Sequence, residues 1–141
     1  MMVGRKIEVQ SYLGDGKGDK KPVLRVENLC KSGNFKDVTF EVRAGEILGI
    51  TGLVGAGRSE TMQAIFGINT ADSGKVMLDG QEVHIRSPKE ALDHGIAYIP
   101  ESRQTQGLIL KKTIRDNILL PQLSKYANAF GILNNTKMPV Y

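Results

Sequence analysis

The run from Gly45 to Gly67, GEILGITGLVGAGRSETMQAIFG, constrains the fold of this chain more than any other feature. Its first part, Glu46 to Thr51, is a short apolar run bounded by glycines, which predicts a strand buried on both faces of a sheet. From Arg58 onward the apolar residues recur with helical spacing, and Gly67 suits the end of that helix. The run therefore predicts a strand, a glycine-rich loop and a helix in direct succession.

The loop between this strand and this helix has the spelling of a phosphate-binding loop with one substitution. Its residues are Gly52, Leu53, Val54, Gly55, Ala56, Gly57, Arg58 and Ser59. The glycines let backbone N–H groups face a phosphate, and the helix N-terminus adds partial positive charge. Ser59 supplies a hydroxyl of the kind that such a loop places on Mg²⁺. Arg58 stands where the motif has lysine, and its forked guanidinium differs in reach from a compact ammonium. The loop predicts a nucleotide or phosphate site, and predicts hydrolysis less strongly.

Two other interpretations of the loop stay open at this point. One is a glycine-rich turn before an ordinary helix. The other is a dinucleotide-binding turn of the form G-x-G-x-x-G, with Asp79 as the acid that binds a ribose. Glu60 stands where that pattern needs its third glycine, so the dinucleotide motif is incomplete.

Composition narrows the class of protein. The chain has 141 residues, which suits one domain, and its net charge of +4 comes from scattered basic residues. That distribution gives little support for a nucleic-acid partner. The single Cys30 excludes an internal disulfide and suits a reducing compartment. No apolar run reaches the length of a membrane-spanning helix and no signal-peptide pattern opens the chain, so we expect a soluble cytoplasmic protein.

The remaining patterns predict a small antiparallel layer beside a parallel core. The predicted strands outside the central run are 23–30, 35–42, 75–78, 82–85 and 96–99. Asp79-Gly80 predicts a hairpin between two of them. Ser87, followed by proline and then by Glu90, predicts a helix with a capping box, and Thr113 with Asp116 predicts another helix start.

Together these segments resemble the ATP-binding cassette of ABC transporters, and most of all the second cassette of tandem ribose/galactose-type sugar importers. The matching segments are VLRVENL, DVTFEVRAGEILGITGLVGAGRSE, GKVMLDGQEVHIRSP, GIAYIPESRQTQGL and TIRDNILL, within residues 23–120. The resemblance implies an α/β P-loop NTPase fold, a partial ABC ATPase core with an antiparallel β-subdomain. It also implies that residues 1–22 form an inter-cassette linker, that residues 23–125 form the N-terminal part of an ATP-binding domain, and that 126–141 is a poorly patterned tail.

The resemblance also assigns roles to single residues. The glycines, Arg58 and Ser59 stand at Walker A positions, and the implied nucleotide-binding residues are Gly52, Leu53, Val54, Gly55, Ala56, Gly57, Arg58, Ser59 and Glu60. Glu101 stands where most cassettes have the Q-loop glutamine, which senses Mg²⁺ and the attacking water. Ser59 and Glu101 are therefore the implied Mg²⁺ ligands. The aromatic residue that stacks on adenine in this family has no counterpart within residues 29–34.

Several parts of a complete cassette do not follow these motifs. No LSGGQ-type signature, Walker B strand or switch histidine is recognisable, and KVMLD at 75–79 leads into a hairpin signal rather than a catalytic glutamate. We interpret the chain as about the first half of one cassette, truncated before the signature and Walker B. The expectation is weak or absent Mg-ATP binding and no hydrolysis by this chain alone, although the parent protein would be an ATPase.

The implied function is that of a subunit that couples ATP binding and hydrolysis to import of a simple sugar. Its implied partners are a second cassette in the same polypeptide or a dimer, the permease membrane subunits, and a periplasmic or extracellular sugar-binding protein. Its implied location is the cytoplasmic face of the cell membrane, where it would be peripheral. Two alternatives stay open: a non-catalytic docking module with a vestigial P-loop, and a dinucleotide-binding enzyme.

Overall fold

The computed structural model describes residues 21–128 and 132–133. Its sheet is antiparallel, with four strands in the order β2-β1-β3-β4. The strands are β1 (Pro22–Lys31), β2 (Phe35–Arg43), β3 (Ser73–Leu78) and β4 (Gln81–Val83). The helices are α1 (Arg58–Ile65), α2 (Pro88–Asp93), α3 (Ile114–Leu119) and α4 (Leu123–Tyr126), with a π-helical turn at Arg103–Gly107 and a 3-10 turn at Leu120–Gln122.

The antiparallel layer agrees with the alternating patterns of the sequence. β1 pairs with β2 on one side and with β3 on the other. The predicted hairpin between β3 and β4 is confirmed: Asp79 and Gly80 have φ angles of +48° and +81°, the signs that a type I′ turn needs. The KVMLD segment is therefore one arm of a hairpin.

The hydrophobic core lies where α1 packs against this sheet. Its buried residues are Val26, Leu29, Phe35, Ala64 and Ile65, of which Val26 is fully buried. Removing these apolar side chains from water is the main force that holds α1 on the strands. The start of α1 is thereby fixed relative to the turn between β1 and β2.

The prediction of buried strands at 46–51 and 96–99 is wrong in this structure. Neither segment is a strand, and Ile47 and Ile99 are 93% and 92% exposed. A strand forms only where a neighbour accepts and donates its backbone hydrogen bonds, and a parallel strand needs cover on both faces. Within the described ranges, the sheet consists of β1 to β4, so these two apolar segments have no strand beside them.

The helix starts follow the predicted capping chemistry closely, with one difference. At α3, Thr113 and Asp116 exchange the reciprocal hydrogen bonds of a capping box. At α2, the Ser87 hydroxyl accepts from the N–H of Glu90 at 3.3 Å, as predicted. The Glu90 carboxylate, however, accepts from the N–H of Arg86 at 2.9 Å and so caps the residue before the N-cap.

Two expectations fall largely outside the described residues. These are the linker at 1–22 and the tail at 126–141, and both stay predictions. None of the helices in the described part of the chain has the length and apolarity needed to cross a bilayer.

Candidate phosphate-binding site

The glycine loop enters α1 through alternating backbone conformations. Gly55 and Gly57 are left-handed, with φ of +82° and +75°, whereas Ala56 between them is not. Gly57 is the N-cap of α1, and its carbonyl accepts from the N–H of Thr61 at 2.8 Å and from the Thr61 hydroxyl at 2.7 Å. Alternation of this kind points successive N–H groups to one side, which forms a concave nest for an anion.

The first N–H groups of α1 are available to a ligand. Among residues 21–128 and 132–133, no acceptor bonds the backbone N–H of Arg58, Ser59 or Glu60, and no side chain caps this helix. Arg58 and Ser59 are exposed and Glu60 is half-buried. Unpaired N–H groups at a helix start, backed by the helix dipole, favour a bound anion.

Arg58 extends back along the loop. A Cβ built at Gly52 would lie 3.7 Å from Cδ and 3.9 Å from Nε of Arg58. The guanidinium forms no hydrogen bond or ion pair with any residue of the described part of the chain. The charge of Arg58 is therefore held near the start of the loop and is not neutralised there.

Glu101 lies close to the loop although it is distant in sequence. A cavity of about 470 Å³ is lined by Leu48, Ile50, Arg58, Ser59, Met62, Tyr98, Ile99 and Glu101. The structure thus places both implied Mg²⁺ ligands at one cavity, with Arg58 beside them. A hydroxyl and a carboxylate are the hard oxygen donors that Mg²⁺ uses together with phosphate oxygens.

The segment after Glu101 forms a capped π-helical turn. Ser102 accepts hydrogen bonds from the N–H of Thr105 at 3.3 Å and from its hydroxyl at 2.7 Å, and this caps the π-helical turn. A second cavity, of about 450 Å³, is lined by residues of this turn and by Glu101. Sequence patterns did not predict the turn, because isolated π-helical turns have no recognised residue signature.

The turn between β1 and β2 borders the loop on its other side. A Cβ at Gly57 would lie 2.5 Å from the Asn34 carbonyl oxygen and 2.9 Å from Cβ of Phe35. A cavity of about 630 Å³ opens beside this turn, lined by residues 30–36 and Asp72. The ring in this lining is that of Phe35, which is buried in the core, so the turn offers no exposed aromatic face.

The segment before α3 is held by the side chain of Asn117. Its oxygen accepts from the N–H of Ile109 at 2.9 Å, and its amide donates to the carbonyls of Ile109 at 3.2 Å and Thr113 at 3.0 Å. Ile109, Leu110 and Ile114 are nevertheless exposed. Asn117 therefore orders a segment that has little apolar packing of its own.

We expect the Asn117→Ala variant to open this segment locally. Loss of three hydrogen bonds, each worth about 1 kcal/mol net, should speed hydrogen exchange of the Ile109 amide by tenfold or more. Exchange rates measured by NMR check this, with Asn69→Ala, a change at an exposed asparagine, as the matched control. Unchanged exchange at Ile109 would contradict the assigned role.

The match to known families covers most of the chain. The ABC transporter family matches residues 35–140. This chain belongs to the ABC transporter family. The resemblance of the sequence and the expected fold class, a partial ABC ATPase core with an antiparallel β-subdomain, are both confirmed.

Individual relatives agree with the family. A ribose import ATP-binding protein of Geobacillus kaustophilus is 45% identical over 142 residues, covering 97% of this ABC-family chain and 27% of the relative. A ribose import ATP-binding protein of Streptococcus agalactiae is 48% identical over 127 residues, which cover 89% of this chain and 25% of the relative. The chain thus spans about a quarter of the length of these relatives.

A solved structure resembles the fold. The crystal structure of a nucleotide-free ATP-binding cassette from an ABC transporter superposes with a TM-score of 0.62 at 26% identity, covering 77% of this chain and 44% of that one. The likeness agrees with a partial cassette, and the dinucleotide-binding alternative is not favoured.

Proposed function

We propose that this chain is part of the ATP-binding subunit of an ABC importer for a simple sugar such as ribose or galactose. Its phosphate loop would supply one side of a composite ATP site. The observation that carries the proposal is that the N–H groups of Arg58, Ser59 and Glu60, and the Arg58 guanidinium, have no hydrogen-bond partner among the residues that the structure describes. The sugar class rests on the ribose import relatives.

Members of the ABC ATPase family bind ATP and Mg²⁺, and the donors present here fit those groups. The triphosphate would lie against the nest of residues 52–60, where backbone N–H groups and Arg58 offset its negative charge. Ser59 and Glu101 would hold Mg²⁺, which neutralises charge on the phosphates.

The same arrangement supports weak binding and no turnover by this chain alone. Arg58 replaces the compact lysine charge, and the turn beside the loop has no exposed aromatic to stack on a base. Phosphoryl transfer needs a group that orients the attacking water, and the sequence shows no Walker B glutamate to do so. Because Arg58 replaces the lysine of the loop, we assign this loop to the less active of two composite sites.

The proposed setting is a complex at the cytoplasmic face of the membrane. A second cassette would cover the phosphates from the opposite side. Closure of the two cassettes would then be transmitted to the permease subunits. A sugar-binding protein outside the membrane would choose the sugar. The ribose import relatives support this setting.

Titration of the ¹⁵N-labelled chain with Mg-ATP tests the proposal. We expect the amides of Gly55, Gly57 and Ser59 to shift with a dissociation constant of about 1 mM, equivalent to roughly −4 kcal/mol. We expect no steady release of phosphate. Micromolar affinity with turnover would contradict the assignment to a weak site, and unmoved loop amides at 10-fold higher ligand would favour a docking module with a vestigial loop.

Restoring lysine at the substituted position should strengthen binding. We expect Arg58→Lys to tighten Mg-ATP binding by about tenfold, or roughly 1.4 kcal/mol, because a compact ammonium can sit between two phosphates. The same NMR titration measures the change. Arg86→Lys, an identical substitution at an exposed arginine away from the loop, is the control and should leave the affinity unchanged. An equal affinity for wild type and Arg58→Lys would show that charge geometry at this position is not what limits binding.

A further inference from the structure

Residues 108–114 form a surface that is both apolar and basic. Its aliphatic side chains are all exposed, and they are Leu108, Ile109, Leu110 and Ile114. Of these, Leu110 is 68% exposed and Ile114 is 81% exposed. Lys111 and Lys112 lie between these two residues in the chain and are exposed as well. Aliphatic side chains grouped on a surface in this way indicate a place where a partner binds.

The charge around this surface has one sign. Four basic residues and no acidic residue lie between Glu101 and Asp116, and they are Arg103, Lys111, Lys112 and Arg115. Among the residues that the structure describes, the ammonium groups of Lys111 and Lys112 have no hydrogen-bond or ion-pair partner. The nearest carboxylate in sequence, that of Asp116, accepts from the N–H of Thr113 in the capping box of α3. The two ammonium groups can therefore pair with negative groups of a partner.

The backbone of this surface is already ordered in the chain alone. The N–H of Lys112 donates to the carbonyl of Ile109 at 2.9 Å, and the N–H of Leu108 donates to the carbonyl of Arg103 at 2.8 Å. The Asn117 side chain bonds both backbone groups of Ile109, as described above. Binding therefore costs less ordering entropy than it would for a disordered segment.

The side chains present favour a lipid surface over a nucleic acid. Aliphatic side chains gain from burial among acyl chains, but they find no apolar surface on a sugar-phosphate backbone. Residues 102–115 also include no aromatic side chain that could stack on a base. Lysines beside inserted aliphatic side chains match the arrangement of a membrane surface, where anionic head groups lie above acyl chains.

Other exposed aliphatic side chains of the described part of the chain lack this charge pattern. Ile47 is 93% exposed but directly follows Glu46, and Ile99 is 92% exposed but lies two residues before Glu101. An anionic surface would repel these carboxylates. The combination of aliphatic and basic side chains therefore distinguishes residues 108–114 from these two positions.

We propose that residues 108–114 bind the surface of a membrane that contains anionic lipids. Leu110 and Ile114 would insert at the level of the head groups, and Lys111 and Lys112 would pair with lipid phosphates. This contact with lipid is additional to the nucleotide site and needs no nucleotide. It agrees with a setting at the cytoplasmic face of the membrane, where the lipid surface is negative.

Flotation of the whole chain with vesicles tests this contact. We expect the chain to float with vesicles of equal parts phosphatidylcholine and phosphatidylglycerol, and to stay in the dense fraction with vesicles of phosphatidylcholine alone. Aggregated protein does not float, so the assay separates lipid binding from self-association. The double variant Lys111→Gln with Lys112→Gln should bind the anionic vesicles about 30-fold more weakly, because two cations leave the surface. Leu110→Gln should bind about tenfold more weakly.

Two matched controls keep the same chemistry away from this surface. The double variant Lys36→Gln with Lys89→Gln removes two exposed lysines elsewhere, so it lowers the net charge by the same amount. Ile47→Gln removes an exposed aliphatic side chain outside the surface. Both controls should bind the anionic vesicles as the wild type does, and circular dichroism verifies that every variant is folded.

Each outcome decides the question. Absence of flotation, equal flotation with phosphatidylcholine alone, or equal losses in the two double lysine variants would overturn the proposed contact. Tighter binding to a single-stranded DNA oligonucleotide than to anionic vesicles would assign the surface to nucleic acid and overturn it too. None of these results bears on the phosphate loop, because the Mg-ATP titration tests the proposed function separately.

Discussion

The Gly57→Ala variant should unfold at a much lower urea concentration than the wild type. The added Cβ would lie 2.5 Å from the Asn34 carbonyl oxygen and 2.9 Å from Cβ of Phe35, in a backbone with φ of +75°. Left-handed strain and overpacking together should lower the free energy of unfolding by about 2–5 kcal/mol. Relief is difficult because Phe35 belongs to the core. Urea titrations followed by circular dichroism measure the change.

Gly55→Ala is the matched control for this prediction. Gly55 has φ of +82°, but a Cβ there would meet no atom within 4 Å. Gly55→Ala should therefore lower the free energy of unfolding only through left-handed backbone strain, by about 1–2 kcal/mol. The difference between the two variants measures the collision with the β1–β2 turn. Equal losses of unfolding free energy in the two variants would mean that the β1–β2 turn moves aside at little cost, and that it is not held rigidly against the loop.

Patterns that depend on neighbours in the sequence predicted the structure well. The Asp79-Gly80 turn needs two positive φ angles, and these two residue types tolerate them, so the hairpin followed from the dipeptide. The Thr113 and Asp116 capping box likewise involves atoms within one helical turn. The loop from Gly52 to Ser59 was found for the same reason, since its glycines and its helix start are contiguous.

Features that depend on distant partners were not predictable in the same way. The apolar run at 46–51 has the composition of a buried strand, but composition does not say which strand will pair with it. In the structure, Ile47 is almost fully exposed. The convergence of Glu101 on Ser59 was suggested by family resemblance alone. Asp72 carried no signal, because a carboxylate that bonds a backbone N–H 40 positions away looks like any loop aspartate.

The largest effect on the sheet is expected from Gly74→Ala in β3. Between two successive pairs of the β1–β3 ladder, β1 has two residues, Asn28 and Leu29, where β3 has one, Gly74. This is a β-bulge, and it places Asn28 in a left-handed conformation with φ of +48°. The bulged backbone comes so close to Gly74 that a Cβ there would lie 2.5 Å from Cα of Leu29 and 2.6 Å from the Asn28 carbonyl oxygen.

We expect Gly74→Ala to lower the free energy of unfolding by about 2–5 kcal/mol, since it adds overpacking to left-handed strain. The atoms it meets are backbone atoms of the central strand, and moving them would pull Leu29, which is 3% exposed, out of the core. Urea unfolding measures the loss. Gly80→Ala is the control, because Gly80 has φ of +81° and a Cβ there would meet no atom within 4 Å. Its free energy of unfolding should fall by about 1–2 kcal/mol.

The position of Gly74, two residues after Asp72, makes this variant informative about the β1–β2 turn as well. The Asp72 carboxylate accepts from the N–H of Ser32 at 2.7 Å, and the Asp72 N–H donates to the carbonyl of Cys30 at 2.8 Å. If the β1 bulge shifts to admit the new Cβ, the contacts of Asp72 with Ser32 and Cys30 should loosen, because Cys30 lies near the end of β1 and Ser32 directly follows that strand. The amide resonance of Ser32 should then move in Gly74→Ala and stay in place in Gly80→Ala. A Ser32 resonance unmoved in a destabilised Gly74→Ala would show that the bulge and the turn respond independently.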